Sequence, residues 1–328
     1  MDFDNKKRQQ FLTESYYLNM IKIIENSRIF WLDKTPESDS QLEGESLKNL
    51  IFTKKSLALF FLNYTAGIGF NELRVQLEEV IISYEKYTYA LRAYEKEMHN
   101  ENYAIMPPLL MHDLEDYENI LEIISLCILL HRKDLLIRFV ELIDPYYEST
   151  DIIYEEILSF ELDDRYDVSK IIFKKPYQIL VDVIFNNSDS DRIKALKKYL
   201  KEWYPSFKDT PWYGSHENII DDDGNYYGYW SFEAGALAFL NELDDNDIDH
   251  MVYPKDLVKF AREFVPSEND ISVSKKERLR CEASQICPKT GEWYSPANNM
   301  EKRQFKQGEV MPVINDNPWG LTIWYMTE

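Results

Sequence analysis

The stretch NELRVQLEEVIISYEKYTYAL, residues 71–91, is the clearest indication of a helical fold in the sequence. Its apolar side chains recur every three to four residues, which places them on one face of an α-helix. Asn71 stands just before the first of them, where its side-chain oxygen could cap the helix. The stripe consists of Leu73, Leu77, Val80, Ile81, Tyr84, Tyr87, Thr88 and Leu91.

The same spacing continues on both sides of this stretch. Toward the amino terminus it predicts a helix that ends near Leu32, a polar loop over 32–46, and a helix over 47–64 that ends at the Gly-containing run 66–69. The stripe of the first helix is predicted to be Phe11, Ser15, Leu18, Ile21, Ile24 and Glu25. Toward the carboxyl terminus, helices are predicted near 112–131, 133–143, 149–160, 169–186 and 189–203.

The pattern changes after residue 203. An aromatic-rich loop is predicted over 204–228, followed by short helices over 229–243 and 254–264. From about residue 270, short β-friendly pieces alternate with Gly, Pro and Asn. These predicted strands lie near 278–283, 292–295, 303–306 and 320–326.

We therefore predict a mainly α protein with two packed helical subdomains, as a helical bundle or array, and a small β-rich C-terminal tail. The predicted domains are an N-terminal helical domain (1–146), a C-terminal helical domain with an acidic and aromatic segment (147–267), and a β-rich extension (268–328). The strongest boundary signal is the polar turn at Asp144–Pro145.

Charge excludes several functions. The 328 residues include 58 Asp+Glu and 37 Lys+Arg, a formal net charge of −21. Such a chain repels phosphates and is a poor candidate for direct binding of nucleic acid, but it would attract a basic partner quickly.

No window of ~20 residues is free of charge, so no membrane span is predicted. Three cysteines make no disulfide framework. We expect a reduced, cytoplasmic protein with no cofactor; the oligomeric state is open, with a homodimer as one alternative.

About half of the net charge lies in one segment, Glu217–Asp249, which has ten acidic residues and no lysine or arginine. Aromatic residues are interleaved with the acids. Such a run is often a solvated face beside ordinary core aromatics. Carboxylates beside Tyr and Trp can also form a docking surface for a basic protein. The second interpretation predicts as partner-binding residues Glu217, Asp221, Asp222, Asp223, Tyr226, Tyr227, Glu233, Asp244, Asp245, Asp247 and Asp249.

The sequence supports metal binding and catalysis less well than it supports a docking surface. A calcium loop that starts at Asp221 would need Gly at position 226 and Glu at position 232, where the sequence has Tyr and Phe, so no metal site is predicted. His216 could act as a general base with Glu217 or Glu233, but spacing fixes no second catalytic group. Trp212, His216 and Glu233 are better explained as a buried polar cluster. We predict that the protein is not an enzyme and has no catalytic residues.

Three motifs carry a family resemblance: WYGSH (212–216), YYGYWSFEAGALAFLNELDD (226–245) and YPKDLVKFAR (253–262). They resemble the C-terminal domain of PoNi immunity proteins, the antidotes to PoNe-type nuclease toxins of bacterial polymorphic toxin systems. The helices over 63–87 and 174–204 also resemble that family. The residues that mark the motifs structurally are Trp212, His216, Trp230, Tyr253 and Pro254.

The tail resembles a different module. CPKTGEW (287–293), FKQGEVMP (305–312) and WGLTIWY (319–325) resemble a short C-terminal module of immunity proteins of type VI secretion effectors. The two resemblances imply a cytoplasmic bacterial protein that binds a cognate, basic nuclease toxin and inhibits it stoichiometrically. The alternatives are a helical interaction scaffold without a toxin partner and a hydrolase that uses His216.

Overall fold

The structure is a computed structural model that describes residues 3–99, 106–163, 165–266, 280–298, 302–315 and 322–326. Helices dominate the described residues and a small antiparallel sheet lies near the carboxyl terminus, which confirms the predicted fold class. The helices are α1 (Glu14–Leu32), α2 (Gln41–Thr65), α3 (Phe70–His99), α4 (Leu114–Leu129), α5 (Lys133–Tyr147), α6 (Ile152–Ser159), α7 (Gln178–Phe185), α8 (Asp189–Ser206), α9 (Phe232–Leu240) and α10 (Lys255–Glu263). The strands are β1 (Arg280–Glu282), β2 (Gly291–Tyr294), β3 (Lys302–Phe305) and β4 (Ile323–Met326).

Side-chain caps explain where several helices begin. Asp113 accepts hydrogen bonds from the first backbone N–H groups of α4, and Asp151 does the same for α6. Thr13 caps α1 and Ser188 caps α8 in the same way. These short polar side chains satisfy donors that a helix leaves unpaired at its N-terminus, so the starts of these four helices are fixed locally.

Several helix boundaries differ from the prediction, and two of the differences have a clear local cause. Helix α2 begins at Gln41, inside the predicted loop 32–46, because Ser40 accepts from the N–H of Glu43 while the Glu43 carboxylate accepts from the N–H of Asp39. This reciprocal pairing resembles a capping box and stabilises an early helix start. Helix α7 begins only at Gln178, because Pro176 restricts the preceding backbone to non-helical conformations.

The predicted apolar face of α1 is confirmed at Ile24, but the rest of its buried face differs from the prediction. The buried positions are Leu12, Tyr16, Met20 and Ile24, whereas Leu18 is 60 % exposed. Exposed apolar side chains near the end of α1 made both faces look similar in the sequence. The helix therefore turns its Tyr16 side, rather than its Leu18 side, toward the core.

Contacts divide the chain into two compact units. The first unit consists of Met1–Pro36, Leu47–Glu85 and Pro107–Phe264, and the second consists of Glu37–Ser46, Lys86–Met106 and Val265–Glu328. The predicted domain boundaries at 146/147 and 267/268 stay predictions. In the first unit, α4 is buried on almost every side, and α9 packs against it.

The second unit contains the sheet, whose strand order is β1-β4-β2-β3 with antiparallel neighbours. Cys281 pairs with Trp324 across β1 and β4. The small core of the second unit consists of Cys281, Cys287, Trp293, Met311 and Trp324. The four strands lie close to the predicted positions; the ends of the predictions at 278–279 and 320–321 lie outside the described residues.

Candidate functional site

The acidic segment Glu217–Asp249 lies in the first unit and spans several elements. It leaves a 3₁₀ turn over Ser215–Asn218, passes through a tight hairpin into α9, and continues as a loop toward α10. Its predicted partner-binding residues comprise exposed carboxylates, the half-buried Asp222 and Tyr227, and buried groups. The exposed carboxylates are Glu217, Asp221, Asp223, Asp244, Asp247 and Asp249.

The aromatic residues of the segment belong to the core. Tyr226 is fully buried, and Tyr229 and Trp230 are 2 % and 4 % exposed. The Trp212 ring centroid lies 5.6 Å from that of Tyr229, and the Tyr226 centroid lies 5.1 Å from it. Tyr227 is only half-buried. Of the two predicted tyrosines, Tyr226 thus packs inside the protein, and only Tyr227 has surface to offer.

The N-terminal segment holds this aromatic cluster in place. The buried Gln9 amide accepts from the Tyr226 hydroxyl at 2.6 Å and the Tyr229 N–H at 2.9 Å, and donates to the Tyr229 carbonyl at 2.5 Å. The Tyr16 hydroxyl donates to the Tyr226 carbonyl at 2.9 Å and accepts from its N–H at 2.9 Å. Gln9 and Tyr16 are not predicted from the sequence, since no local pattern links residues more than 200 positions apart.

A two-residue hairpin projects between the 3₁₀ turn and the aromatic cluster. Ile220 and Asp223 exchange both backbone hydrogen bonds, at 3.0 and 2.9 Å. Asp221 and Asp222 occupy the left-handed region, with φ of 50° and 60°, as a type I′ turn requires. Asp and Asn tolerate this conformation better than other residues with a Cβ atom, which explains the acidic pair at the tip.

Helix α1 anchors the hairpin through Asp222. Its carboxylate accepts from the Ser15 hydroxyl at 3.0 Å, and its carbonyl accepts from the Asn19 amide at 2.9 Å. Asp221 and Asp223 remain exposed on either side, and Ile220 is 72 % exposed. The hairpin therefore presents an apolar side chain beside carboxylates, on a backbone that α1 holds in place.

Glu233 is an internal hydrogen-bond acceptor. Its Oε1 atom accepts from the Tyr199 hydroxyl at 2.6 Å, the Ser231 hydroxyl at 2.7 Å and the Trp203 indole at 3.0 Å. The side chain is 1 % exposed, and burial raises the pKa of its carboxyl group while these donors lower it. Glu233 therefore ties α8 to α9, and its carboxylate is not exposed to a partner.

The loop that follows α9 contains a second buried acid. Asp245 is 3 % exposed and accepts from the Tyr253 hydroxyl at 2.5 Å and from the Arg262 guanidinium. Burial is the main cause that raises the pKa of Tyr253. Asp244 instead accepts from the N–H and amide of Asn246 in a local turn, which leaves it at the surface. Pro254, also part of the predicted motif, is buried and caps α10.

A shallow groove of about 320 Å³ adjoins this loop and includes Trp230 and Tyr253 in its wall. Three of its charged side chains, Arg8, Lys255 and Asp256, are engaged by the fold, whereas Asp249 is exposed. Arg8 pairs with Asp256 at 2.5 Å, and Lys255 donates to the carbonyls of Asn246 and Ile248. The groove is therefore explained by the attachment of the loop to the helices.

His216 does not join Glu233 in the arrangement that a hydrolase would need. Its Nδ1 lies 2.8 Å from the Tyr229 hydroxyl, and its ring centroid lies 4.0 Å from that of Phe11. Its Nε2 lies 3.8 Å from the exposed Glu217 carboxylate. The histidine thus belongs to the aromatic cluster. Trp212, which we expected beside it, donates to Glu118 at 3.0 Å.

Two other features, a metal site and a membrane-spanning helix, are absent from the described residues. Among them, no group of three or more His, Cys, Asp or Glu side chains is placed to hold a metal ion. In the same part of the chain, no helix is both long and apolar enough to cross a membrane.

The described residues form a mainly helical protein in which the segment Glu217–Asp249 carries exposed carboxylates. Comparison with known proteins identifies a similar family for part of the chain. Residues 149–257 match the family model of PoNe immunity proteins (PoNi), C-terminal. The resemblance seen in the motifs is thereby confirmed for this segment, which contains the whole of Glu217–Asp249. A family of immunity proteins suggests a role other than catalysis.

A solved structure shares the fold. The crystal structure of protein PA2201 from Pseudomonas aeruginosa matches with a TM-score of 0.60 and 20 % sequence identity, covering 78 % of this chain and 90 % of that chain. At this identity the match concerns the fold alone. The comparison with curated proteins finds no match.

Proposed function

We propose that this protein is an immunity protein that binds a cognate nuclease toxin and neutralises it stoichiometrically. The observation that carries the proposal is the match of residues 149–257 to the C-terminal family model of PoNe immunity proteins. The tail motifs add the expectation that the toxin is an effector of type VI secretion. The proposal places the protein in the bacterial cytoplasm, where a nuclease toxin reaches its substrate.

Electrostatics supports a docking role for the exposed carboxylates. A nuclease binds a polyanion and therefore needs a basic cleft, to which carboxylates are complementary. The segment Glu217–Asp249 has no lysine or arginine to offset its ten acids. We restrict the proposed docking surface to its exposed side chains, because a buried group such as Glu233 or Asp245 already has partners inside the protein.

The hairpin at Ile220–Asp223 is the strongest candidate for the centre of this surface. Binding to a partner costs less when the binding element is ordered beforehand. The Asp222 contacts with Ser15 and Asn19 provide that order. Ile220 supplies apolar area, and Asp221 and Asp223 supply charge beside it, a combination typical of interfaces with an apolar centre and a polar rim.

Co-purification with the toxin tests the class of function. We expect the toxin encoded beside this gene to co-purify with the protein at 1:1 stoichiometry and to lose nuclease activity in the complex. A helical scaffold without a toxin partner would leave the nuclease unbound and active. That result would overturn the proposal.

Two charge variants test the surface. Asp221→Asn with Asp223→Asn, and separately Asp247→Asn with Asp249→Asn, remove two exposed charges each; Asn also tolerates the left-handed φ at position 221. Because exposed charges act mainly on encounter, we expect association at low salt to slow by about tenfold, with a smaller change in dissociation.

The matched control is Glu25→Gln with Glu202→Gln, which removes two exposed charges from helices α1 and α8. It should leave the association rate within about twofold of wild type, since these charges lie outside the proposed surface. If the control and the two surface variants slow association equally, the docking surface is refuted while the toxin-binding function stands.

A further inference from the structure

Three carboxyl groups come together inside the first unit. Glu118 and Glu122 stand one turn apart on α4, and Glu233 stands in the first turn of α9, which packs against α4. Their exposed fractions are 5 %, 7 % and 1 %. In their ionised forms, Glu118 and Glu122 would repel each other, and Glu233 would repel both. Charged carboxylates in such a place would be costly, because burial removes their hydration.

Hydrogen bonding at the cluster is uneven. Glu233 Oε1 accepts three hydrogen bonds, and Glu118 accepts one from the Trp212 indole at 3.0 Å. The second oxygen of Glu233, Oε2, is buried with no hydrogen-bond partner, and so is the hydroxyl group of Tyr177. Tyr177 lies within electrostatic range of all three carboxyl groups. The cluster is therefore rich in acceptors and contains buried polar atoms without a hydrogen-bond partner.

Neighbouring elements supply acidic or neutral groups to the cluster. Helix α4 itself adds Glu115 and Tyr117, and α8 adds Tyr199. At the start of α6, Asp151 accepts from the Tyr117 hydroxyl at 2.8 Å.

The arginines of the other packed helices pair elsewhere. On α5, Arg138 binds the carboxylate of Glu85 at 2.7 Å, and on α10, Arg262 binds Asp245. Neither interaction brings a positive charge to the three carboxyl groups.

We propose that Glu118, Glu122 and Glu233 form a buried proton-binding site that retains two protons at neutral pH, while Glu233 carries the negative charge. The proton is the ligand that the geometry favours, because each protonated carboxyl gains the O–H donor that an acceptor-rich cluster needs. The three donors on Glu233 Oε1 favour its ionised form, which assigns the protons to the two residues of α4. Burial, followed by the nearby carboxylates, raises the pKa of Glu118 and Glu122 well above the ordinary value.

The site would make the packing of α4 on α9 depend on pH. In the unfolded chain both residues titrate near the ordinary value of about 4.3. In the folded protein the raised pKa keeps them protonated at higher pH, so folding retains protons that the unfolded chain has released. Stability from these protons is therefore complete below about pH 4 and is lost as pH rises through the raised pKa values of the folded state.

The direct test observes the protons in the wild-type protein. We would label glutamate side chains with ¹³C and follow their carboxyl carbons by NMR from about pH 4 to pH 9. Two resonances should keep the chemical shift of a protonated carboxyl at neutral pH, and they should disappear in Glu118→Gln and Glu122→Gln. The proposal is overturned if every glutamate resonance titrates near the ordinary value.

Measuring the unfolding equilibrium constant as a function of pH tests the predicted loss of stability at higher pH. From about pH 6 to 8, the unfolding equilibrium constant of the wild type should rise by about tenfold per pH unit for each retained proton, relative to Glu118→Gln/Glu122→Gln. Glutamine keeps the shape but does not titrate, so the double variant should lose this slope. Glu202→Gln/Glu242→Gln, with two exposed carboxyls removed, should keep it. Equal slopes in all three proteins would contradict the proposal.

If the double variant does not fold, the NMR titration of the wild type still decides the question. Neither experiment uses a toxin. The proton site can therefore fail while the proposed immunity function stands, and the reverse is also true.

Discussion

Replacing Gly228 by Ala should destabilise the first unit through two separable effects. Gly228 has φ of +115°, a conformation that L residues rarely adopt. A Cβ atom there would lie 2.1 Å from Thr65 Oγ1 and 2.5 Å from Trp230 Nε1. These two atoms are hydrogen-bonded to each other at 2.9 Å, and the Thr65 hydroxyl also donates to the Tyr227 carbonyl at 2.6 Å. The methyl group would therefore strain the backbone and break the link between α2 and the aromatic cluster.

The expected cost of Gly228→Ala follows from these contacts. Backbone strain contributes about 1–2 kcal/mol, and an unpaired buried donor or acceptor about 1–3 kcal/mol. Overpacking contributes about 1–3 kcal/mol more. Because these contributions overlap, we expect a loss of about 3–6 kcal/mol in the free energy of unfolding.

Gly214→Ala is the matched control for backbone strain. Gly214 has φ of +72°, but a Cβ atom there would have no neighbour within 4 Å. This variant should therefore lose only the strain contribution, about 1–2 kcal/mol. Urea denaturation followed by far-ultraviolet circular dichroism gives both values, with m unchanged. Equal losses in the two variants would refute the steric argument.

A second background tests the same clash through a double-mutant cycle. Thr65→Ala removes the oxygen that the new methyl group would meet. The combined variant should be more stable than the sum of the single losses predicts, with a coupling of at least about 1 kcal/mol. Strict additivity would mean that the clash does not exist.

Three further substitutions test other contacts of the first unit. Arg165→Met should lower the free energy of unfolding by about 3–5 kcal/mol. The reason is that Asp144 and the buried Glu155 lose the guanidinium that binds them at 2.7 and 2.8 Å. A loss below about 1 kcal/mol in a denaturant titration would contradict this. Tyr253→Phe should cost about 1–2 kcal/mol, since Asp245 loses one donor but keeps Arg262; the midpoint of thermal unfolding should fall accordingly, and an unchanged midpoint would argue against the buried hydrogen bond. His216→Ala should retain native circular dichroism and lose about 1–2 kcal/mol as the Tyr229 hydrogen bond and the Phe11 contact disappear, whereas wild-type stability would place the histidine outside the core.

Much of the helical architecture could be predicted because its signals are local. The spacing of apolar residues and short polar caps act within a few positions, so the middle of α3 and the start of α4 could be recognised directly. The four short strands were predicted for the same reason, since turn residues separate them. Local errors have local causes, as at α7, where Pro176 delays the helix.

Burial within the acidic segment could not be predicted. In the sequence, Asp244 and Asp245 are adjacent and chemically identical. In the structure, Asp244 lies at the surface, whereas Asp245 is buried beside Arg262 and only 3 % exposed. The same holds for Tyr226, whose partners Gln9 and Tyr16 lie more than 200 residues away. Composition therefore overestimated the number of side chains available for docking.

The helical class, the concentration of negative charge in Glu217–Asp249 and the family resemblance around Gly228 and Glu233 can be read from the sequence alone. Which carboxyl groups face solvent and which meet in the core depends on the tertiary fold, because charge and periodicity are properties of neighbouring residues, whereas desolvation depends on every element packed around a group. Glu118, Glu122 and Glu233 illustrate this, since α4 and α9 bring them into one buried cluster.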